Sequence, residues 1–156
     1  MKRLTTSALG RTAIAAALVA LSACSDETTG LEAVDLAGDW VATKYEFTDR
    51  TTVQQTVDLI ARDGVMFDVS IEESGRVTLR FVDGVGALTT EIGTLRSWVT
   101  GSGRDEQAHA EITTGARTYL VGVDGDALVL VDADRIFEPR PGVLVPATLR
   151  AELLPS

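Results

Sequence analysis

The sequence predicts an all-β protein, an antiparallel barrel or sandwich of about eight strands, carried behind an export signal. Three observations lead there. Apolar and polar residues alternate with a period of two through much of the chain after residue 64. Turn-forming pairs such as Asp83-Gly84 and Asp124-Gly125 recur at short spacing between those runs. The first strand-like run carries a Gly-x-Trp, Gly38 and Trp40, and the later strands read as a sheet that closes back onto it.

Taken in order, residues 36–48 form the first strand, with Gly38, Trp40 and Ala42 alternating with Asp39, Val41 and Thr43. Trp40 is large enough to plug a barrel end. One short helix follows. Thr52 and Gln55 have the spacing of a capping box, and Val53, Val57, Ile60 and Ala61 make an apolar stripe with Leu59 beside it. Gly64, after Asp63, supplies the stop, because glycine adopts positive φ without strain. This helix is expected to lay its apolar face over an opening of the sheet.

From residue 65 the period changes to two. Phe67, Val69 and Ile71 alternate with Asp68, Ser70 and Glu72; after the turn at 73–75, Val77, Leu79 and Phe81 alternate with Arg76, Thr78 and Arg80. That is a β-hairpin with a distinct inside and outside. The next strands are less regular. Leu88, Thr90 and Ile92 alternate with Ala87, Thr89 and Glu91, and Gly93 reads as a bend or bulge. Residues 95–100 carry Trp98, residues 101–103 are a loop, and Ala108, Ala110 and Ile112 alternate with Gln107, His109 and Glu111. Runs 118–123 and 127–131 flank a hairpin turn and are apolar on both faces, so that the tether or a partner is expected to cover Leu120, Val129 and Val131. Residues 132–143, with Pro139 and Pro141, read as a loop, and 146–153 as the last strand.

The front of the chain differs in kind. Lys2, Arg3 and Arg11 precede or border an apolar run at 13–21. The run is short of the ~20 residues that span a bilayer and has the layout of a secretory signal. It ends in Leu21, Ser22, Ala23 and Cys24, which resembles the lipobox of bacterial lipoproteins. That resemblance implies cleavage before Cys24, a diacylglycerol on its thiol, and an acyl chain such as palmitate on the new amine. It divides the chain into a signal peptide at 1–23, a flexible tether at 24–35 and a folded domain at 36–156. The expected address is the bacterial cell envelope. In the enteric lipoproteins that this end of the signal resembles, Ser directly after the Cys leans toward the outer membrane, which implies the outer over the inner membrane for Ser25. Cys24 is the one Cys of the sequence, so no intramolecular disulfide is possible. Residues 1–23 hold three bases and no acid, so their removal takes the formal charge from −9 to −12. A domain that acidic repels nucleic acid and gives the acyl anchor no polybasic support.

With Gly38 and Trp40 opening the first strand, a helix after it and a meander of strands, the domain resembles the lipocalin-like domain of bacterial lipoproteins. The resemblance implies an up-and-down barrel of about eight strands, one short helix between strands 1 and 2, and Trp40 at the closed end. Many members bind small apolar molecules inside, and Phe67, Val69, Ile71, Val77, Leu79 and Phe81 are the candidates to line such a cavity. The alternative is a filled barrel serving as an envelope interaction or protease-inhibitor-like module. No catalytic constellation is visible, so a non-enzymatic role without cofactor is expected. His109 is the sole His, no Ser lies in a nucleophile elbow, and Asp124, Asp126, Asp132 and Asp134 match no calcium-loop spacing. No metal site is expected.

Overall fold

The computed structural model describes residues 31–52, 55–102 and 106–156. Residues 1–30, which hold the expected signal, Cys24 and the first part of the expected tether, lie outside the described residues. The rest is all-β. Strands β1 (Gly38–Asp49), β2 (Thr56–Asp58), β3 (Met66–Ile71), β4 (Arg76–Val82), β5 (Leu88–Thr100), β6 (Gln107–Thr114), β7 (Thr118–Asp124), β8 (Ala127–Arg140) and β9 (Val143–Pro155) follow one another, with short helices α1 (Ala33–Leu36) and α2 (Leu59–Asp63). Each barrel strand pairs antiparallel with its neighbour, and β1 pairs with both β3 and β9. An eight-stranded barrel is thereby closed, and β2 is a short addition to β1. Closure leaves no long edge open to pairing with another chain.

The β3–β4 hairpin forms as its alternation predicts: Phe67 faces Phe81, Val69 faces Leu79 and Ile71 faces Val77. All six side chains point inward. In β1 the alternation cannot run unbroken. Its register against β9 shifts between Ala42 and Lys44. The bulge lets Trp40 and Ala42 face inward before it and Tyr45 and Phe47 after it.

Four expectations are corrected. The helix does not start at Thr52. Thr56–Asp58 is extended and pairs with Glu46, Phe47 and Thr48 of β1, because β3 has left β1 beyond Val41 and those backbone groups need a partner. α2 therefore begins at Leu59, with the Ile60 amide donating to the Asp58 carboxylate at 3.0 Å. Gly64 ends it at φ 68° as expected. Next, β5 has the opposite phase to the apolar reading. It aligns Thr89 with Phe81 and Glu91 with Leu79, which turns Thr89 and Glu91 inward and leaves Leu88 and Ile92 exposed. Gly93 is neither bend nor bulge. A Cβ there would stand 2.7 Å from the Thr113 carbonyl oxygen, so glycine is required for the close approach of β5 to β6. Last, most of 132–143 is strand. β8 runs to Arg140 and turns tightly into β9, with register shifts between Asp132 and Arg135 and between Phe137 and Arg140. Pro139 falls inside the second shift, where a proline costs no regular ladder bond.

The core has two ends. At one, α1 packs Leu36 into the barrel, and Leu31 and Ala33 lie against it. The Trp40 indole N–H donates to the Leu36 carbonyl at 3.0 Å. Trp40 is half-buried there. Val69, Ile71, Val77, Ile112, Leu128 and Leu153 fill the interior beside it, all at 3% exposure or less.

Candidate functional site

The other end of the barrel is hollow. A cavity of about 320 Å³ lies under α2, walled by Phe47, Phe67, Phe81 and Phe137 together with Tyr45 and Tyr119. These are all four Phe and both Tyr of the sequence. In a chain with 5% aromatics, six of the eight Phe, Tyr and Trp side chains line this one cavity. Tyr45 stands at the centre of the cluster, with ring centroids 5.7 Å from Phe47, 5.1 Å from Phe67 and 5.5 Å from Phe81. Phe47 and Phe137 are stacked at 4.5 Å. Leu59 of α2 and Leu79 complete the apolar wall, which puts the helix over an opening of the sheet as its stripe predicts. Arg62 of the same helix lies 5.7 Å from the centre of the Phe137 ring.

The remaining lining is polar and charged: Thr89, Glu91, Arg117 and Arg135. Arg117 pairs with Glu91 at 3.2 Å and donates to the Tyr119 hydroxyl at 3.4 Å. Arg135 meets Asp132 at 3.7 Å and lies 5.8 Å from the centre of the Phe47 ring. Burial holds the Tyr45 phenol far above the ordinary tyrosine range. Burial also raises Tyr119, against the Arg117 hydrogen bond and charge. Both phenols therefore stay protonated, and the cavity offers neutral O–H groups rather than phenolates.

The mouth follows from a gap in the wall. The β7–β8 ladder runs from Asp124 and Ala127 to Leu120 and Val131 and goes no further. Past it β8 bulges at Asp132, and a surface groove of about 710 Å³ opens between Thr118 and Asp134. Arg117 and Arg135 border both the groove and the cavity. They stand between solvent and the aromatic interior.

Of the residues singled out in the sequence, Phe67, Leu79 and Phe81 line this cavity. Val69, Ile71 and Val77 lie further along the same strands, in the filled end. Gly38 opens β1 at φ 146°, and Trp40 sits at the filled end. Cys24 is outside the described residues. His109 is on the outer face, stacked on Trp98 at 5.6 Å and 2.8 Å from the Thr100 hydroxyl. Of the strip expected to be covered, Leu120 is exposed, Val131 half-buried and Val129 buried. Among the described residues, no group of three or more His, Cys, Asp or Glu is placed to hold a metal ion, and no helix is long and apolar enough to cross a membrane.

Sequence reasoning missed nine of the twelve lining residues: Tyr45, Phe47, Leu59, Thr89, Glu91, Arg117, Tyr119, Arg135 and Phe137. Glu91 was hidden by the phase of β5, Arg135 and Phe137 by the loop reading of 132–143. A signal did exist. Arg117 with Tyr119, at the start of β7, and Arg135 with Phe137, within β8, repeat the same Arg-x-aromatic step on neighbouring strands.

The fold and site define a class: a closed eight-stranded antiparallel barrel, packed at one end and hollow and aromatic at the other. No protein-family model, curated protein or solved structure matches the chain.

Proposed function

We propose that this protein is an exported envelope lipoprotein, anchored through acylated Cys24, whose barrel holds a small ligand with an apolar body in its aromatic end. One observation carries the binding half of this reading: the 320 Å³ void that gathers every Phe and Tyr of the chain. Small-molecule sites are mostly apolar, with a few placed polar groups, and span about 300–1,000 Å³. The void stands at the small end of that range and has that lining. A filled barrel acting only through its surface would have no use for it. The role in this reading is binding without chemistry; it rests on a mostly apolar wall with Thr89, Glu91, Arg117, Arg135 and two protonated phenols as its polar groups.

The anchor half rests on the run that ends in Cys24. Each acyl methylene buried in a bilayer contributes about 0.8 kcal/mol, and two or more chains hold a protein there stably. Ser25 supports the outer membrane as the address. The test of both halves uses the protein from its own cells. Native mass spectrometry should show a bound small molecule, and Cys24→Ala should lose acyl labelling and membrane association together. A ligand-free barrel across preparations, or a Cys24→Ala protein still released only by detergent, would refute the respective half.

A further inference from the structure

We propose that the ligand is uncharged and carries one hydrogen-bond-accepting oxygen, a carbonyl above all, which Arg135 and Tyr45 take at the cavity end of a one- or two-ring apolar body. This deepens the ligand-binding reading above and rests on it.

Three observations lead to the claim. The Arg135 Nε–H is buried and has no hydrogen-bond partner among the described residues. The guanidinium makes no hydrogen bond among the described residues. Its acid, Asp132, is 3.7 Å away, too far for a bond, and one carboxylate oxygen of Asp132 already accepts from the Asp134 amide at 3.0 Å. A buried donor left unmade is destabilising, and a native protein keeps one where something else fills the role. Second, Tyr45 lines the same cavity and its hydroxyl makes no hydrogen bond among the described residues, which adds a second donor to the wall. Third, the charges already cancel. Arg117 is matched by Glu91 and Arg135 by Asp132. A ligand carboxylate would bring a third acid into a half-buried site, inside a domain already strongly acidic. A neutral oxygen satisfies the donors without adding a charge that water must surrender. A cavity of 320 Å³ leaves room for a body of one or two rings.

The test titrates three probes of closely similar shape into the full chain, made unacylated, by isothermal calorimetry: 2-acetylnaphthalene, 2-ethylnaphthalene and 2-naphthoate. The ketone is expected to bind at least tenfold more tightly than either of the others, a difference of about 1.4 kcal/mol. Arg135→Met keeps an unbranched apolar stem. It should narrow the gap between the ketone and the hydrocarbon, the ratio of the two affinities within each protein being the readout. Should that variant not fold by circular dichroism, Tyr45→Phe, which removes the other donor and keeps the ring, should narrow the same gap. Tightest binding by the naphthoate would overturn the claim of a neutral ligand. Equal binding of all three, or a gap untouched by either variant, would overturn the acceptor claim while leaving the cavity as a binding site. No binding by any probe would overturn the ligand-binding reading and this one with it.

Discussion

If the barrel is packed at one end and hollow at the other, the same truncation must cost different amounts at the two ends. Leu130 and Leu79 both point inward, at 0% and 3% exposure. Leu79 borders the 320 Å³ cavity, whereas Leu130 does not. Leu→Ala removes three carbons, worth about 2.4 kcal/mol at ~0.8 kcal/mol per methylene if all were fully surrounded. At Leu130 a new hole adds to that, for a total of roughly 3–5 kcal/mol. At Leu79 the deleted carbons widen a cavity that already exists, so little is added to that transfer cost and about 2–2.5 kcal/mol is expected. Urea unfolding of the two variants of the unacylated full chain measures the difference. With slopes of about 1–3 kcal/mol per molar, the midpoints should separate by ~0.5 M or more, with Leu130→Ala the lower. Equal midpoints would mean that the space beside Leu79 is filled, and the binding argument would fall with the void.

Two further outcomes test parts of the fold that position the cavity. Gly93→Ala puts a Cβ against the Thr113 carbonyl in the β5–β6 ladder and should destabilise by about 1–3 kcal/mol; a melting temperature equal to wild type would show that the strands do not approach that closely. Asp49 accepts from the Thr51 hydroxyl at 2.6 Å, the Thr51 amide at 2.7 Å and the Thr52 amide at 3.2 Å, and the Thr51 bonds hold its carboxyl below the usual carboxylate range. A lowered folded-state pKa stabilises above the unfolded value near ~3.9 and loses that contribution as pH falls through the folded value. The stability gap between wild type and Asp49→Asn should therefore be complete at neutral pH and close progressively below about pH 4. A gap unchanged into that acid range would rule out the carboxylate bonds as its cause.

The sequence by itself determined where one face must be buried. Phe67, Val69 and Ile71 must pair in phase with Val77, Leu79 and Phe81, because a one-residue slip would turn three apolar side chains to water. Gly64 likewise announced the end of α2. The export and anchoring reading stands on residues 1–24 alone, since a lipobox is local chemistry that needs no fold. What the tertiary structure decided is whatever depends on a neighbour far away in the chain. The phase of β5 is set by its register on β4, and that register alone carries Glu91 inside. The extended backbone of Thr56–Asp58 answers a vacancy left on β1 by β3, overriding a helical stripe. The bulges at Thr43 and past Asp132 re-aim Tyr45, Arg135 and Phe137 into one cavity. Local pattern cannot show them, because an inserted residue reads as noise in a period of two until the partner strand fixes which residues lie opposite.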